Sequence, residues 1–254
     1  MEVRTKRYVR IGKMQLSNSM RMVFLAVLIF IVLSVSGISE TATEDTSSIK
    51  EDFSSFPIVS LPQQAQEASL VSDQIITVEY LPATGRGKLS FYQKTEDENW
   101  VLLIDSARAR MGRNGIGKAK EGDGKTPSGT YNLTQPFGIL DDPGTQFEDY
   151  VKVTENHWWC CNPSSKYYNQ LVDESAAPDF RPIRGMDEKL INIYAYQYAI
   201  FIDYNAECTP KLGSAIFLHC KGNKSTTSGC IAVDFEIMEN IMKITKPGAK
   251  IVIY

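Results

Sequence analysis

From residue 73 onward, the chain consists of short runs of β-branched and aromatic residues separated by turn residues. The runs are QIITVEYLP, KLSFYQK, NWVLLIDSARA, DYVKVTE, YAIFIDY, SAIFLHC, GCIAV and KIVIY. Runs of this length and composition are typical of strands. KLSFYQK and WVLLID are separated by a few polar residues, which predicts a hairpin. The pattern therefore predicts a mainly β fold.

Two segments depart from the strand pattern. Residues 187–197 have helical character, and residues 234–246 show it more fully. In the second segment Asp234 is a residue type that often caps a helix, and a Pro-Gly pair follows its end. Three isoleucines recur there at the spacing of one helix face: Ile237, Ile241 and Ile244. The predicted fold class is mainly β with short helices (α+β).

The N-terminal part has a different composition. Residues 1–21 form a basic leader with a net charge of +5, on the cytoplasmic side if the chain is exported. Residues 22–39 contain an unbroken apolar run followed by small residues. This arrangement predicts either a cleaved signal peptide or a signal-anchor helix, and both remain open. Residues 40–72 are rich in Ser, Thr, Glu and Gln, which predicts a flexible linker before a folded domain of residues 73–254.

Charge excludes one class of partner. After the basic leader, the remaining chain carries a net charge of −8. Nucleic acid binding requires a basic face that neutralises phosphates, so we expect no nucleic acid partner.

The segment FLHCKGNKSTTSGCIAV, residues 217–233, contains one of the two histidines and two of the five cysteines. His219 and Cys230 each lie at the edge of an apolar run, with a polar, turn-like stretch between them. If the two runs pair as antiparallel strands, the imidazole and the thiol meet across the ladder. A nearby imidazole can activate a thiol for attack on a carbonyl. The backbone N–H groups of Ser228, Gly229 and Cys230 could then stabilise an oxyanion.

The same residues allow other interpretations. In an exported protein a disulfide could join Cys220 to Cys230, or Cys208 to Cys220. A metal site could be formed from Cys208, His219, Cys220 and Cys230, although adjacent strand residues point to opposite faces. Spacing alone leaves catalysis, a disulfide, a metal site and inert packing open.

Longer segments carry a family resemblance. GSAIFLHCKGNKSTTSGCIAV resembles the active-site signature of the L,D-transpeptidase catalytic-domain family, in which a histidine strand precedes a Ser/Thr-x-Gly-Cys turn. GRNGIGKAKEGDGKTPSGTYNL and SSKYYNQL resemble further segments of an exported branch, in the same order. The resemblance covers roughly residues 101–254. Ser228 is a departure, because that branch commonly has a second histidine there.

The resemblance implies an L,D-transpeptidase-like β-sandwich catalytic domain over residues 73–254. Cys230 would be the nucleophile and His219 the general base and acid. Gly229 and Ser228 would supply oxyanion donors, and the carbonyl of Cys220 would orient the imidazole. Five residues are candidates for binding substrate: Arg113, Asn114, Tyr168, Asn169 and Tyr204.

By the same resemblance, the protein would be an acyltransferase that cross-links peptidoglycan stem peptides and contributes to cell wall organisation and cell shape. No metal and no organic cofactor is implied. We expect a monomer outside the cytoplasm, either anchored in the membrane by its N-terminal segment or secreted. Two other functions stay open. One is hydrolysis of the same bond, as an L,D-carboxypeptidase or endopeptidase, and the other is a non-catalytic wall-binding module with Cys230 in a disulfide.

Overall fold

A computed structural model describes residues 52–254. The strands of this region are, in chain order, β1 Gln74–Leu81, β2 Arg86–Lys94, β3 Trp100–Arg110, β4 Gly129–Gly138, β5 Val151–Lys152, β6 His157–Trp159, β7 Leu171–Asp173, β8 Glu188–Lys189, β9 Ala199–Ile202, β10 Phe217–Cys220, β11 Ile231–Val233 and β12 Lys250–Ile253. An α-helix, α1, spans Phe235–Ile244. Short 3-10 helices lie at Gln63–Ala65, Ala68–Leu70, Leu190–Asn192 and Tyr194–Gln197.

The main sheet closes on itself. Among the described residues its strand order is β12-β1-β2-β3-β11-β10-β9-β4-β5, and β12 also pairs with β4. β12 runs parallel to β1 and antiparallel to β4, so it joins the two ends of the sheet. Closure pairs the backbone groups that an open sheet would leave unpaired at its edges. A second, three-stranded sheet has the order β7-β6-β8.

Strand β10 is buried on both faces. Leu218 and Cys220 belong to the main hydrophobic core, which α1 also joins through Met238. Phe217 belongs to a second core on the opposite face, which also contains Trp159 of the small sheet. Because successive strand residues alternate between faces, His219 lies on the same face as Phe217. The fold therefore places the histidine between the main sheet and the layer that covers it.

The structure confirms most of the predicted elements. Each apolar run from residue 74 onward contains a strand, and β2 and β3 form the predicted antiparallel hairpin. The fold is mainly β with short helices, as predicted. Asp234 lies at the N-terminus of α1, but its carboxylate bonds Lys221 Nζ at 2.7 Å, and no side-chain capping bond forms.

The helix predicted over residues 187–197 is wrong. This segment contains β8 and two 3-10 helices, separated by Ile193 in an extended conformation. The carboxylate of Asp187 accepts hydrogen bonds from the backbone N–H groups of Cys161, Asn162 and Ile183 at 2.7–3.0 Å. The bonds to Cys161 and Asn162 tie the start of the segment to the loop after β6. These tertiary contacts favour an extended start over a continuous helix.

The flexible linker predicted over residues 40–72 is wrong for the part that the structure describes. Leu61, Ala65 and Ala68 are buried against Ile75, Tyr92 and other residues of the first two strands and β12. The backbone N–H of Val59 also donates to the carbonyl of Trp100 at 2.9 Å. The alanines are small enough for the 3-10 turns to lie close to the sheet, so this segment belongs to the folded unit.

The basic leader of residues 1–21 and the apolar segment of residues 22–39 lie outside the described residues. Within residues 52–254, no helix has the length and hydropathy needed to span a membrane.

A leucine pair tests the packing of the N-terminal segment. Leu61 is 8% exposed and Leu70 is 83% exposed. We expect Leu61→Ala to lower the free energy of unfolding by about 2–3 kcal/mol, because it leaves a cavity against the sheet. Leu70→Ala is the matched control and should change it by less than about 0.5 kcal/mol. Chemical denaturation measures both, and equal, negligible effects would show that the segment does not pack.

Candidate active site

His219 and Cys230 lie on neighbouring strands. β10 and β11 are parallel, with Leu218 beside Ile231 and His219 beside Ala232. Extending this register by one residue brings Cys230 level with Phe217, and the N–H of Phe217 lies 3.4 Å from the Cys230 sulfur. His219 and Cys230 therefore share one face of the sheet, two residues apart along it.

The predicted antiparallel pairing of these two runs is wrong. The chain after β10 forms a loop that returns to the start of β11, which then pairs with β3 through Ala232 and Arg110. Arg110 Nη1 donates to the carbonyls of Gly222 and Lys224 at 2.5 and 2.7 Å. The N–H of Thr227 donates to the carbonyl of Met111 at 2.9 Å. These contacts with β3 hold the loop across the end of the sheet.

The ring of His219 is fixed from two sides. Nδ1 lies 2.7 Å from the carbonyl oxygen of Cys220, as predicted. A carbonyl oxygen only accepts, so Nδ1 carries the proton and Nε2 keeps its lone pair. Tyr196 contacts the ring edge to face, with centroids 5.4 Å apart. Burial lowers the pKa of His219 to about 4, against the opposing effect of the Cys220 carbonyl. The imidazole is thus a neutral base at neutral pH.

The thiol of Cys230 is also neutral in this structure. Burial raises its pKa to about 12, and the charge of Glu188 adds to the effect. The Phe217 N–H and the Lys118 ammonium act in the opposite direction. The sulfur lies 3.2 Å from the carbonyl oxygen of Ala215, to which the S–H donates. The resting pair is therefore thiol and imidazole, and the thiol proton points at Ala215 rather than at His219.

The turn before Cys230 depends on glycine. Gly229 has φ +156°, and a Cβ there would lie 2.9 Å from the carbonyl oxygen of Lys125. The Gly229 N–H already donates to Thr227 Oγ1 at 3.2 Å, and that hydroxyl donates to the Cys230 carbonyl at 2.6 Å. As an oxyanion donor, the Gly229 N–H would first have to give up its bond to Thr227. The N–H groups of Ser228 and Cys230 are the other candidates for that role.

A cavity of about 440 Å³ opens beside this pair and is lined by His219, Ser228, Gly229 and Cys230. Charged residues of both signs also line it: Arg110, Lys118, Lys224, Glu121 and Glu188. The cavity is large enough for part of a peptide and brings it against a neutral thiol and a neutral base. Its chemistry suits nucleophilic attack on a carbonyl.

Comparisons with known proteins agree with this geometry. The family model described as YkuD, L,D-transpeptidase catalytic domain, matches residues 75–253. The chain belongs to the L,D-transpeptidase catalytic domain family. The predicted L,D-transpeptidase-like fold is therefore confirmed. A search of curated proteins finds no match.

Solved structures that are similar to the chain include the helical cell shape determining protein Pgp2 from Campylobacter jejuni and a point mutant of it. Each is 15% identical, with TM-scores of 0.39 and 0.40. The matches cover 75% and 76% of this chain. They span only 55% and 56% of the solved chains, so the match covers about half the length of those proteins.

Neither the disulfides nor the metal site that the sequence left open is formed within residues 52–254. All five cysteines lie within the described residues, and none is paired. Cys220 faces the main core, on the opposite side of β10 from Cys230. Within residues 52–254, no group of three or more potential metal ligands is close enough to hold an ion. The proposed sets of Cys208, His219, Cys220 and Cys230 are therefore not assembled.

The predicted substrate-binding residues are mostly placed elsewhere. None of the five lines the cavity formed by the described residues. Arg113 is exposed and comes nearest, because its Nη1 donates to the Ser228 hydroxyl at 3.2 Å. The side-chain amide of Asn114 donates to the carbonyl of Asp123 at 2.7 Å, within the same long connection between β3 and β4. Tyr204 is buried, and its hydroxyl donates to the carbonyl of Leu212 at 3.0 Å.

Tyr168 and Asn169 are 2% and 4% exposed, so a substrate-binding role is wrong for both. The Tyr168 hydroxyl donates to Glu121 Oε2 at 2.7 Å. Both Asn169 side-chain atoms are hydrogen-bonded to neighbouring protein groups. The family-like segment around these residues is structural.

Several lining residues escaped the sequence reasoning, among them Lys118, Glu121, Glu188 and Tyr196. The side chain of Lys118 is buried and forms an ion pair with Asp123 at 3.0 Å. Its Nζ would lie 3.8 Å from a Cβ at Gly229, which places a cation next to the nucleophile turn. Lys118 and Glu121 lie in the family-like stretch GIGKAKEGDGK, and this resemblance could have marked them as candidate site residues. Glu188 lies in a segment with no such signal, and burial raises the pKa of its carboxyl.

The pH dependence of alkylation tests the state of Cys230. Because thiolate is the reactive form, the rate of modification by iodoacetamide should rise about tenfold per pH unit from pH 7 to 10 without reaching a plateau. Peptide mapping by mass spectrometry measures this, and the more exposed Cys208 is the internal control. Rapid modification of Cys230 that is independent of pH above 7 would instead indicate a thiolate–imidazolium pair.

Proposed function

We propose that the protein is a peptidoglycan L,D-transpeptidase, an acyltransferase that uses Cys230 as nucleophile and His219 as base. The observation that carries this proposal is the bond from His219 Nδ1 to the Cys220 carbonyl. That bond leaves Nε2 unprotonated on the face of the sheet that also carries the thiol, beside one cavity.

In the first half-reaction, the Cys230 S–H turns from the Ala215 carbonyl and transfers its proton to His219 Nε2. The sulfur attacks the carbonyl that joins the L-centre of the third stem residue, a diamino acid, to D-Ala. The N–H groups of Ser228 and Cys230 stabilise the oxyanion. The intermediate collapses to a thioester as His219 returns the proton to the departing amine of D-Ala.

In the second half-reaction, the side-chain amine of a neighbouring stem attacks the thioester. His219 accepts a proton from this amine and delivers it to the leaving sulfur. An amide cross-link forms and the Cys230 thiol is regenerated. No external oxidant or cofactor is needed, since one acyl bond is exchanged for another.

The charges that line the cavity support a stem peptide as substrate. Stem peptides carry carboxylates and, on the diamino acid, an ammonium group. Arg110, Lys118 and Lys224 supply positive charge, while Glu121 and Glu188 supply carboxyl groups. A cavity lined by charges of both signs is complementary to a zwitterionic chain.

Export and membrane attachment are part of the proposal. The basic leader and the apolar segment of residues 22–39 support a position outside the cytoplasm, with the domain acting on the wall as a monomer. A non-catalytic wall-binding role would require Cys230 in a disulfide, whereas Cys230 is unpaired in the structure.

Incubation with disaccharide tetrapeptide tests the reaction. We expect cross-linked dimers and release of D-Ala. Chromatography separates the products, and mass spectrometry identifies them. Cys230→Ala should lower turnover by at least about a thousandfold, because no acyl-enzyme can form. Cys208→Ala is the matched control and should retain turnover within about twofold.

The products separate the competing functions. If disaccharide tripeptide forms without dimers, the activity is hydrolysis, and the protein is an L,D-carboxypeptidase rather than a transpeptidase. Full turnover by the Cys230→Ala variant would reject the mechanism itself.

The acid limb of the pH–rate profile tests His219. A protonated imidazole cannot accept the thiol proton, so activity should fall as pH drops through the pKa of about 4. We expect kcat/KM to stay within about twofold from pH 5.5 to 7.5 and to decline about tenfold per unit well below pH 4. An acid limb centred near pH 6.5, the ordinary value for histidine, would contradict the buried neutral base.

A further inference from the structure

The segment that precedes β10 contacts the nucleophile directly. The carbonyl oxygen of Ala215 accepts the S–H of Cys230 at 3.2 Å, and two residues later the N–H of Phe217 points at the same sulfur. Ala215 has φ +54°, which is uncommon for a residue with a side chain. Such a conformation persists only where surrounding contacts hold it. The question is which residues hold the Ala215 carbonyl on the sulfur.

Asn169 makes the first of these contacts. Its Oδ1 accepts the N–H of Ala215 at 3.1 Å and the indole N–H of Trp159 at 3.2 Å. Its Nδ2 donates to the carbonyls of Tyr204 and Asn205 at 3.2 and 3.0 Å. The amide thus uses two acceptor and two donor positions, its full capacity. A fully bonded, buried amide cannot turn without losing several bonds, so it fixes the Ala215 peptide.

Tyr168 makes the second contact. Its hydroxyl accepts the N–H of Gly213 at 3.1 Å and donates to Glu121 Oε2 at 2.7 Å. The Ser214 hydroxyl donates to the same Glu121 oxygen at 2.8 Å. Gly213, Ser214 and Ala215 are therefore each tied to Tyr168, Asn169 or their partner Glu121.

We propose that Tyr168 and Asn169 are positioning residues, which hold the Ala215 carbonyl on the Cys230 sulfur and so set the position and protonation of the resting thiol. The role of Cys230 as nucleophile rests on the proposed function, but the contact between Ala215 and the sulfur does not. An S–H bonded to a carbonyl favours the protonated form, because the carbonyl oxygen repels a thiolate. Loosening the Gly213–Ala215 segment should therefore make the thiol easier to ionise and less well placed for attack.

Tyr168→Phe is the sharpest test, because it removes only the hydroxyl and keeps the buried ring. Tyr167→Phe is the matched control: the neighbouring hydroxyl bonds Asp179 at 2.7 Å, on the exposed surface away from the segment. Asn169→Gly is a second variant, since the φ of +58° at this position suits glycine. Thermal unfolding and circular dichroism establish that each variant folds.

The main readout is the pH dependence of Cys230 alkylation in the full chain. For Tyr168→Phe we expect the rate at pH 8 to rise about threefold to tenfold, with the profile displaced to lower pH. Asn169→Gly should shift it in the same direction, and Tyr167→Phe should match the wild type. With disaccharide tetrapeptide, kcat of Tyr168→Phe should fall about tenfold while KM stays within twofold.

Each outcome is decisive. A folded Tyr168→Phe variant with the wild-type alkylation profile overturns the inference, whether or not Asn169→Gly folds. Equal losses in Tyr168→Phe and Tyr167→Phe would also overturn it, because they would reflect general destabilisation. A displaced profile in a protein that turns over no stem peptide would reject the proposed function and leave the positioning role standing.

Discussion

The burial of β10 on both faces is the constraint on which the active site depends. A strand covered by two cores cannot slip by one residue, because slippage would exchange all of its side chains between the faces. Phe217 and His219 must then face the covering layer, while Leu218 and Cys220 face the main core. The parallel register with β11 brings Cys230 to the same face. One packing requirement therefore selects which cysteine shares a face with His219 and leaves Cys220 only its carbonyl near the candidate site.

Burial also decides the charge of the catalytic pair. Desolvation lowers the pKa of His219 and raises that of Cys230, so both groups favour their neutral forms. An ion pair would need partners that offset this desolvation. The Cys220 carbonyl favours a proton on Nδ1 of the imidazole, but no carboxylate is hydrogen-bonded to the ring within residues 52–254. In the proposed mechanism the proton therefore moves as the sulfur attacks, and the relative positions of the groups matter more than their resting charge.

The sequence predicted what depends on local composition. Apolar runs gave the strands, isoleucine spacing gave α1, and the ordered segments identified the family and the candidate pair. The direction of β11 was not predictable, because a polar loop of this length can return the chain in either direction, and the contacts of Arg110 and Thr227 with distant residues decide it. The burial of Ala65 was not predictable for the same reason. Alanine is common both in linkers and in cores, and only the tertiary surface it meets decides between them.

The motif-based assignments show a different limit. A family-like segment indicates that its residues have a role in the family. It does not show whether they contact substrate or hold in place the backbone that contacts substrate. Asn169 has the same chemical character in either role, and only its four hydrogen bonds assign it to the interior. Glu188 is the converse case, because it lines the cavity without any motif to mark it.

A protonated nucleophile suits the position outside the cytoplasm that we propose for this protein. Oxidants attack the thiolate, so a thiol held neutral by burial is protected from them. The cost is that little thiolate exists in advance, and catalysis must come from geometry. In the proposed mechanism this accounts for the constraints around one sulfur: the glycine at 229, the left-handed backbone of Ala215 and the fixed imidazole. Together they replace pre-formed charge by pre-formed position.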